Sequence, residues 1–143
     1  MPRIAGGGTR GFAQVMERPE LPADVQGFIA DRIDTVPHLE ALLLLWESAP
    51  ASWSAVQIAA RIYVAPEAGE LILADLQRRR LVRASDEDPE RYAYDPGWDT
   101  GDLMARVAAA YRQDLIRVAR FIHAKASSAV REFARAFEIK KER

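Results

Sequence analysis

A mainly α-helical fold, with three helices and a β-hairpin between a short leading helix and a long trailing one, is what the sequence predicts. Three observations predict it. Apolar residues recur at helical spacing over four separate stretches. Two strand-like segments, LVRAS at 81–85 and RYAYD at 91–95, flank the acidic tip DEDPE. Finally, no Gly or Pro interrupts residues 102–139. The chain has 143 residues, 49% of them hydrophobic, which suits one folded unit with a real core plus appendages. The expected division is a flexible tail over 1–22, a leading helix and hairpin-bearing domain over 23–98, and a long helical region over 99–143.

Composition removes several chemistries. With no cysteine there is no disulfide, thiolate metal site or thiol nucleophile, and two separate histidines, His38 and His123, are too few to propose a metal centre. No cofactor is expected. No nucleophile–base arrangement or paired carboxylates can be placed, so the expectation is a protein that is not an enzyme. The aromatic residues Trp46, Trp53, Tyr63, Trp98 and Tyr111 suit either an apolar pocket or a small core. The longest apolar run, ALLLLW at 41–46, is far too short to cross a bilayer, and the N-terminus lacks a secretory pattern, which leads to the expectation of a soluble cytoplasmic protein without membrane contact.

Element by element, Gly6, Gly7 and Gly8 belong to the tail, because neither a Lys-Ser/Thr pair nor an apolar strand accompanies them as a phosphate loop would require. Val25, Phe28, Ile29 and Ile33 then mark an amphipathic helix. Thr35 offers a cap to the next helix, Pro37 is tolerated in its first turn, and Leu39, Leu42, Leu43, Leu45 and Trp46 make it apolar nearly all round. SAPAS at 48–52 breaks it. Ser54 and Gln57 have capping-box spacing, with Trp53 and Ile58 placed as a hydrophobic staple, and this helix ends near Tyr63. Pro66 opens a third helix running to Arg80, whose buried stripe carries Gly69, Leu73 and Leu76.

Taken together, HLEALLLLW, SAVQIAARIYV, APEAGELILADLQRRRLV and LVRASDEDPERYAYD, over residues 38–95, resemble the winged helix-turn-helix domains of bacterial transcription regulators of the MarR and PadR type. The likeness covers about forty per cent of the chain and lies largely in apolar spacing. It implies that the third helix presents Glu67, Ala68, Glu70, Leu71 and Ala74 to a DNA groove, and that the hairpin is the wing. None of those five residues donates to phosphate. The wing carries Asp86, Glu87, Asp88 and Glu90 where cations serve DNA best. At about 5 Å and an effective dielectric near 20, a carboxylate and a phosphate repel by roughly 3 kcal/mol, about the worth of one good base contact.

Charge is divided to match. Residues 64–98 hold five Lys/Arg against eight Asp/Glu, net −3, whereas residues 99–143 hold ten against six, net +4. Leu71 and Ile72 flank the buried stripe, and four consecutive apolar positions cannot all point inward, so one approaches the surface. An acidic surface with an apolar spot fits a protein partner better than a polyanion. Glu67, Glu70, Leu71 and Ala74 are therefore the candidate partner-binding residues. The rival reading is a dimeric sequence-specific DNA-binding repressor, with Arg61, Arg78, Arg79 and Arg91 on phosphates and Arg3 and Arg10 in an N-terminal arm. Arg78, Arg79 and Arg80 also suit the helix dipole and pairing with the acidic wing.

The last region predicts a long helix over 102–139, which would span roughly 57 Å if unbroken. Met104, Ala108, Tyr111, Leu115, Val118 and Ile122 form a four-three seam that needs a facing helix. In the resembling regulators flanking helices mediate dimerisation, which implies a homodimer through this seam; folding back on the leading helix is the alternative. Ser127 and Ser128 mark a bend. Beyond them Phe133 and Phe137 share a face among Arg131, Arg135, Lys140, Lys141 and Arg143, either as a last packing turn or as a docking helix for a protein groove or nucleic acid. His123 reads as a packed or surface histidine.

Overall fold

A computed structural model describes residues 21–127 of the chain. The order is α1 (Ala23–Arg32), α2 (Val36–Ser48), β1 (Trp53–Ser54), α3 (Ala55–Ile62), α4 (Pro66–Arg78), β2 (Val82–Ala84), β3 (Arg91–Tyr94), a 3-10 turn (Pro96–Trp98), α5 (Leu103–Gln113) and a further helix, α6, over 115–127. The three strands form one antiparallel sheet in the order β1-β3-β2. The fold is mainly helical with a small sheet.

The capping chemistry read from the sequence is present. Thr35 Oγ1 accepts from the His38 amide at 3.3 Å at the start of α2. At the start of α3, Ser54 Oγ accepts from the Gln57 amide at 3.2 Å, while Gln57 Oε1 accepts from the Ser54 amide at 3.0 Å, so two orphan donors of the first turn are satisfied reciprocally. The strand β1 was not expected, since its two residues coincide with that cap. It pairs Trp53 with Tyr92 and Ser54 with Arg91, adding a third strand to the hairpin.

Helix α2 is the centre of the core. Leu39, Leu42 and Leu45 are fully buried, and each such side chain contributes about 1.5–3 kcal/mol relative to exposure. They meet Ile58 of α3, Leu73 and Leu76 of α4, and Leu81 at the start of the hairpin. Helices α3 and α4 cross closely at Gly69. A Cβ there would stand 2.8 Å from Ala59 Cβ and 3.0 Å from the Ala55 carbonyl oxygen, so any larger residue forces the two helices to shift. The hairpin leaves α4 through Arg80, whose backbone is left-handed (φ 64).

Three expectations need correction. First, the tail does not extend to residue 22: Leu21 is buried in the core and its carbonyl accepts from the Gln26 side chain at 3.0 Å. Residues 1–20 lie outside the described residues.

Second, the long helix is not continuous. Asp114 (φ −149, ψ 66) ends α5, and its Oδ1 accepts from the Arg117 amide at 3.2 Å, so it serves as the N-cap of α6. A short polar side chain that competes for backbone donors does what Gly or Pro was expected to do. Third, among the described residues the basic cluster ending α4 does not pair with the wing: Arg78 pairs with Asp75 and Arg79 with Asp34. The anticipated bend at Ser127 and Ser128, with all of 128–143, falls at or beyond the end of the described residues.

Helices α5 and α6 pack back on the rest of the chain. Met104, Val107, Ala108, Val118 and Ile122 belong to the same buried cluster as the α2 leucines and α1. Lys125 of α6 donates to the Ile29 and Ala30 carbonyls at 3.0 Å and also to that of Ile33, covering the open C-terminal end of α1. Burial holds its ammonium below the ordinary lysine range. At the other side Phe28 stacks on Trp98, with ring centroids 5.0 Å apart, and the Tyr94 hydroxyl donates to Asp99 at 2.8 Å. Among the described residues, no helix is long and apolar enough to cross a membrane.

Candidate functional site

Helix α4 buries Gly69, Ile72, Leu73 and Leu76 and turns the opposite side to solvent. Glu67, Glu70, Leu71 and Ala74 are all exposed, and Leu71 retains 69% of its accessible surface. The apolar run resolves as anticipated: Ile72 goes inward, Leu71 outward. Ala68 is half-buried. Glu67 sits in the first turn beside the positive end of the helix dipole, and neither it nor Glu70 has a hydrogen bond or ion pair among the described residues. The hairpin tip adds exposed Asp86, Glu87, Asp88 and Glu90. Its shape is set internally, since the Glu90 amide donates to Asp88 Oδ1 at 3.0 Å and the Arg91 amide to the Asp88 carbonyl at 2.9 Å.

The four arginines of the DNA reading have other engagements. Arg91 donates to the Ser52 hydroxyl at 3.0 Å and the Ser52 carbonyl at 2.6 Å, bracing β3 against the segment before β1. Arg79 donates to the Asp31 carbonyl at 2.6 Å and to Asp34 Oδ1 at 3.0 Å. Arg78, largely exposed, pairs with Asp75 one turn back. Arg61 lies over the Trp53 ring, 5.1 Å from its centroid. Exposed Arg80 and Arg83 carry no such contact among the described residues; Arg83 is not among the sequence candidates, although its alternation with inward Val82 marks it as outward-facing.

A polar junction that the sequence did not disclose holds the C-terminal end of α4. Buried His38 places Nε2 2.8 Å from Asp75 Oδ2 and 4.0 Å from Asp34 Oδ2, while Nδ1 lies 2.6 Å from Thr35 Oγ1. An ionised carboxylate only accepts, so Nε2 carries a proton toward Asp75. The His38 bond, reinforced by Arg78, holds the Asp75 carboxyl below the usual carboxylate range against the opposing effect of burial.

Ligating atoms of Asp34, His38 and Asp75 lie within 4.8 Å of one another, but Arg78 and Arg79 already balance the two carboxylates. The arrangement ties α4 to α2 and to the α1–α2 connection. Its one local trace in the sequence is the i, i+4 spacing of Asp34 and His38; Asp75 joins only through tertiary packing.

The seam residues divide. Met104, Ala108, Val118 and Ile122 are buried within the chain's own core, as the fold-back alternative required. Tyr111 is half-buried, its hydroxyl donating to Glu40 at 2.9 Å, and burial with that carboxylate pushes it up to about 12. Leu115, with its neighbour Ile116, stays half or more exposed at the α5–α6 break. Phe133 and Phe137 lie outside the described residues. His123 is exposed. Of the aromatic set, Tyr63 and Tyr111 line one cleft, whereas Trp53 and Trp98 pack against the core.

No protein-family model matches the chain, and searches of characterised proteins and of solved structures find no significant similarity.

Proposed function

We propose that the chain is a cytoplasmic, homodimeric winged-helix regulatory protein, working in transcription control through protein contacts and by binding without catalysis. The order helix, short strand, two helices and hairpin, with β1 pairing onto β3, supports the winged-helix reading, with α4 as recognition helix and the β2–β3 hairpin as wing. The observation that carries the functional reading is the solvent face of α4: Leu71 exposed beside Glu67 and Glu70, with Arg79 and Arg91 bound elsewhere in the chain. A protein surface with a complementary apolar pocket and basic rim fits that face.

The reading is tested by capture of a protein partner on immobilised chain. Retention lost on Glu70→Arg and on Leu71→Asp, but kept on Arg80→Ala, supports it; retention indifferent to the first two variants overturns it. For the dimer, light scattering decides, with Leu115 of the seam and its exposed neighbour Ile116 open to a second copy.

One observation favours the rival, a sequence-specific DNA-binding repressor: α4 is uncovered among the described residues, and Arg61, Arg80 and Arg83 are exposed. Its signature is tight DNA binding with a steep loss on adding salt.

A further inference from the structure

Away from the solvent face of α4, a cleft of about 340 Å3 opens between α2, the end of α3 and α5. This is within the size range of small-molecule sites. Leu43, Leu44, Ile62 and Ala108 give it an apolar lining.

Four charged side chains reach the cleft, and they sort into two pairs. Glu40 is engaged by the Tyr111 hydroxyl at 2.9 Å, and Arg61 by the Trp53 ring. Glu47 of α2 and Arg112 of α5 line the same cleft, and neither has a hydrogen bond or ion pair among the described residues. One uncommitted carboxylate and one uncommitted guanidinium therefore share an apolar hollow.

Tyr63, on the same cleft, supplies an independent observation. It ends α3 in the left-handed region (φ 63, ψ 46), a position that favours glycine, and its side chain is 93% exposed. A bulky aromatic held there at a backbone cost, without burial in return, makes sense where the ring covers something the folded chain alone does not contain.

We infer that this cleft binds a small zwitterion bearing an apolar or aromatic group, of the size and kind of an aromatic amino acid. Its ammonium faces Glu47, its carboxylate faces Arg112 in a charge-assisted contact, and its apolar group rests on the Leu43, Leu44 and Ile62 side chains beneath the Tyr63 ring. The opposite charges argue for a guest carrying both signs: a simple anion meets Glu47, and a simple cation meets Arg112. The inference is independent of the role of α4.

Calorimetric titration with three probes tests it: L-phenylalanine, L-phenylalanine amide, which lacks the carboxylate, and N-acetyl-L-phenylalanine, which lacks the ammonium. The wild-type chain is expected to bind phenylalanine with Kd at or below about 1 mM and each derivative about tenfold more weakly. In Glu47→Gln the acetyl derivative and phenylalanine should differ by less than about twofold, and in Arg112→Gln the same should hold for the amide. Tyr63→Ala should weaken all three. Absence of saturable binding by phenylalanine up to about 10 mM, or equal binding of the three probes to the wild type, overturns the inference. So does a penalty for removing either charge that persists in the matched variant. All three substituted side chains are exposed, so circular dichroism is expected to report an unchanged fold.

Discussion

The two ends of α4 are built on opposite principles. Its C-terminal end is bonded into the fold: Asp75 to His38, Arg78 to Asp75, and Arg79 to Asp34 and the Asp31 carbonyl. Its solvent face ahead of that end presents Glu67, Glu70, Leu71 and Ala74, with no polar partner for either carboxylate among the described residues. The contrast teaches that one of the three helix-end cations, Arg79, bonds to another element and Arg78 pairs within the helix, whereas the acidic and apolar groups of the other end face solvent. A surface intended for a polyanion would reverse that allocation.

Substitutions on the two faces of α4 break the comparison most sharply. Leu73→Ala, at a fully buried position, is expected to cost about 2–5 kcal/mol in denaturant unfolding. Leu71→Ala, two residues away, should change stability by no more than about 0.5 kcal/mol while weakening partner capture. Near-equal losses of stability would mean that Leu71 is covered by something in the intact chain. Gly69→Ala ranks next, because the added Cβ meets Ala59 and the Ala55 carbonyl; about 1–2 kcal/mol of destabilisation is expected after its better helix propensity is allowed for.

The bonded end should reveal itself in acid. Because the folded Asp75 carboxyl titrates below its ordinary value, the stability it contributes is complete above about pH 4 and is lost as pH falls through the lower folded pKa. Asp75→Asn should therefore destabilise the chain at neutral pH, with the penalty shrinking as the wild-type carboxylate becomes protonated. Melting temperatures of both proteins between about pH 7 and pH 2 check this; parallel curves would remove His38 and Arg78 as the source. The smallest effect belongs to Tyr63→Gly, which relieves the left-handed backbone and should raise stability by about 0.5 kcal/mol once the freer unfolded chain is counted.

Much of the fold was legible in the sequence because it rests on local chemistry. Ser54 with Gln57, Thr35 before α2, Pro66 opening α4 and the alternation around the DEDPE tip each act within a few residues, so spacing alone discloses them. The exposure of Leu71 was legible for the same reason, since four successive apolar positions overfill one helix face. What stayed hidden depends on distant partners. The sequence cannot say that Arg79 reaches Asp34 or that Arg91 reaches Ser52, because long side chains choose among acceptors that only tertiary packing brings near.

The break at Asp114 stayed open in the sequence on different grounds. Helix formers on both sides dominate any propensity average, while one aspartate switching from the end of α5 to the cap of α6 is decided by a single side-chain bond to the Arg117 amide. That break in turn lets α5 and α6 lay their apolar residues on α1 and α2, so most of a seam read as a dimer contact is occupied within the chain. The cleft beside Tyr63 was visible only as a set of aromatics without a common location.

The most direct test of the α4 surface is a fluorescence anisotropy titration of duplex fragments with the wild-type chain, repeated across a range of salt concentrations. Weak association with a shallow salt dependence is the predicted result, since the exposed face of α4 and the hairpin tip carry carboxylates and few uncommitted cations. Sub-micromolar, sequence-dependent binding that collapses steeply as salt rises would contradict it.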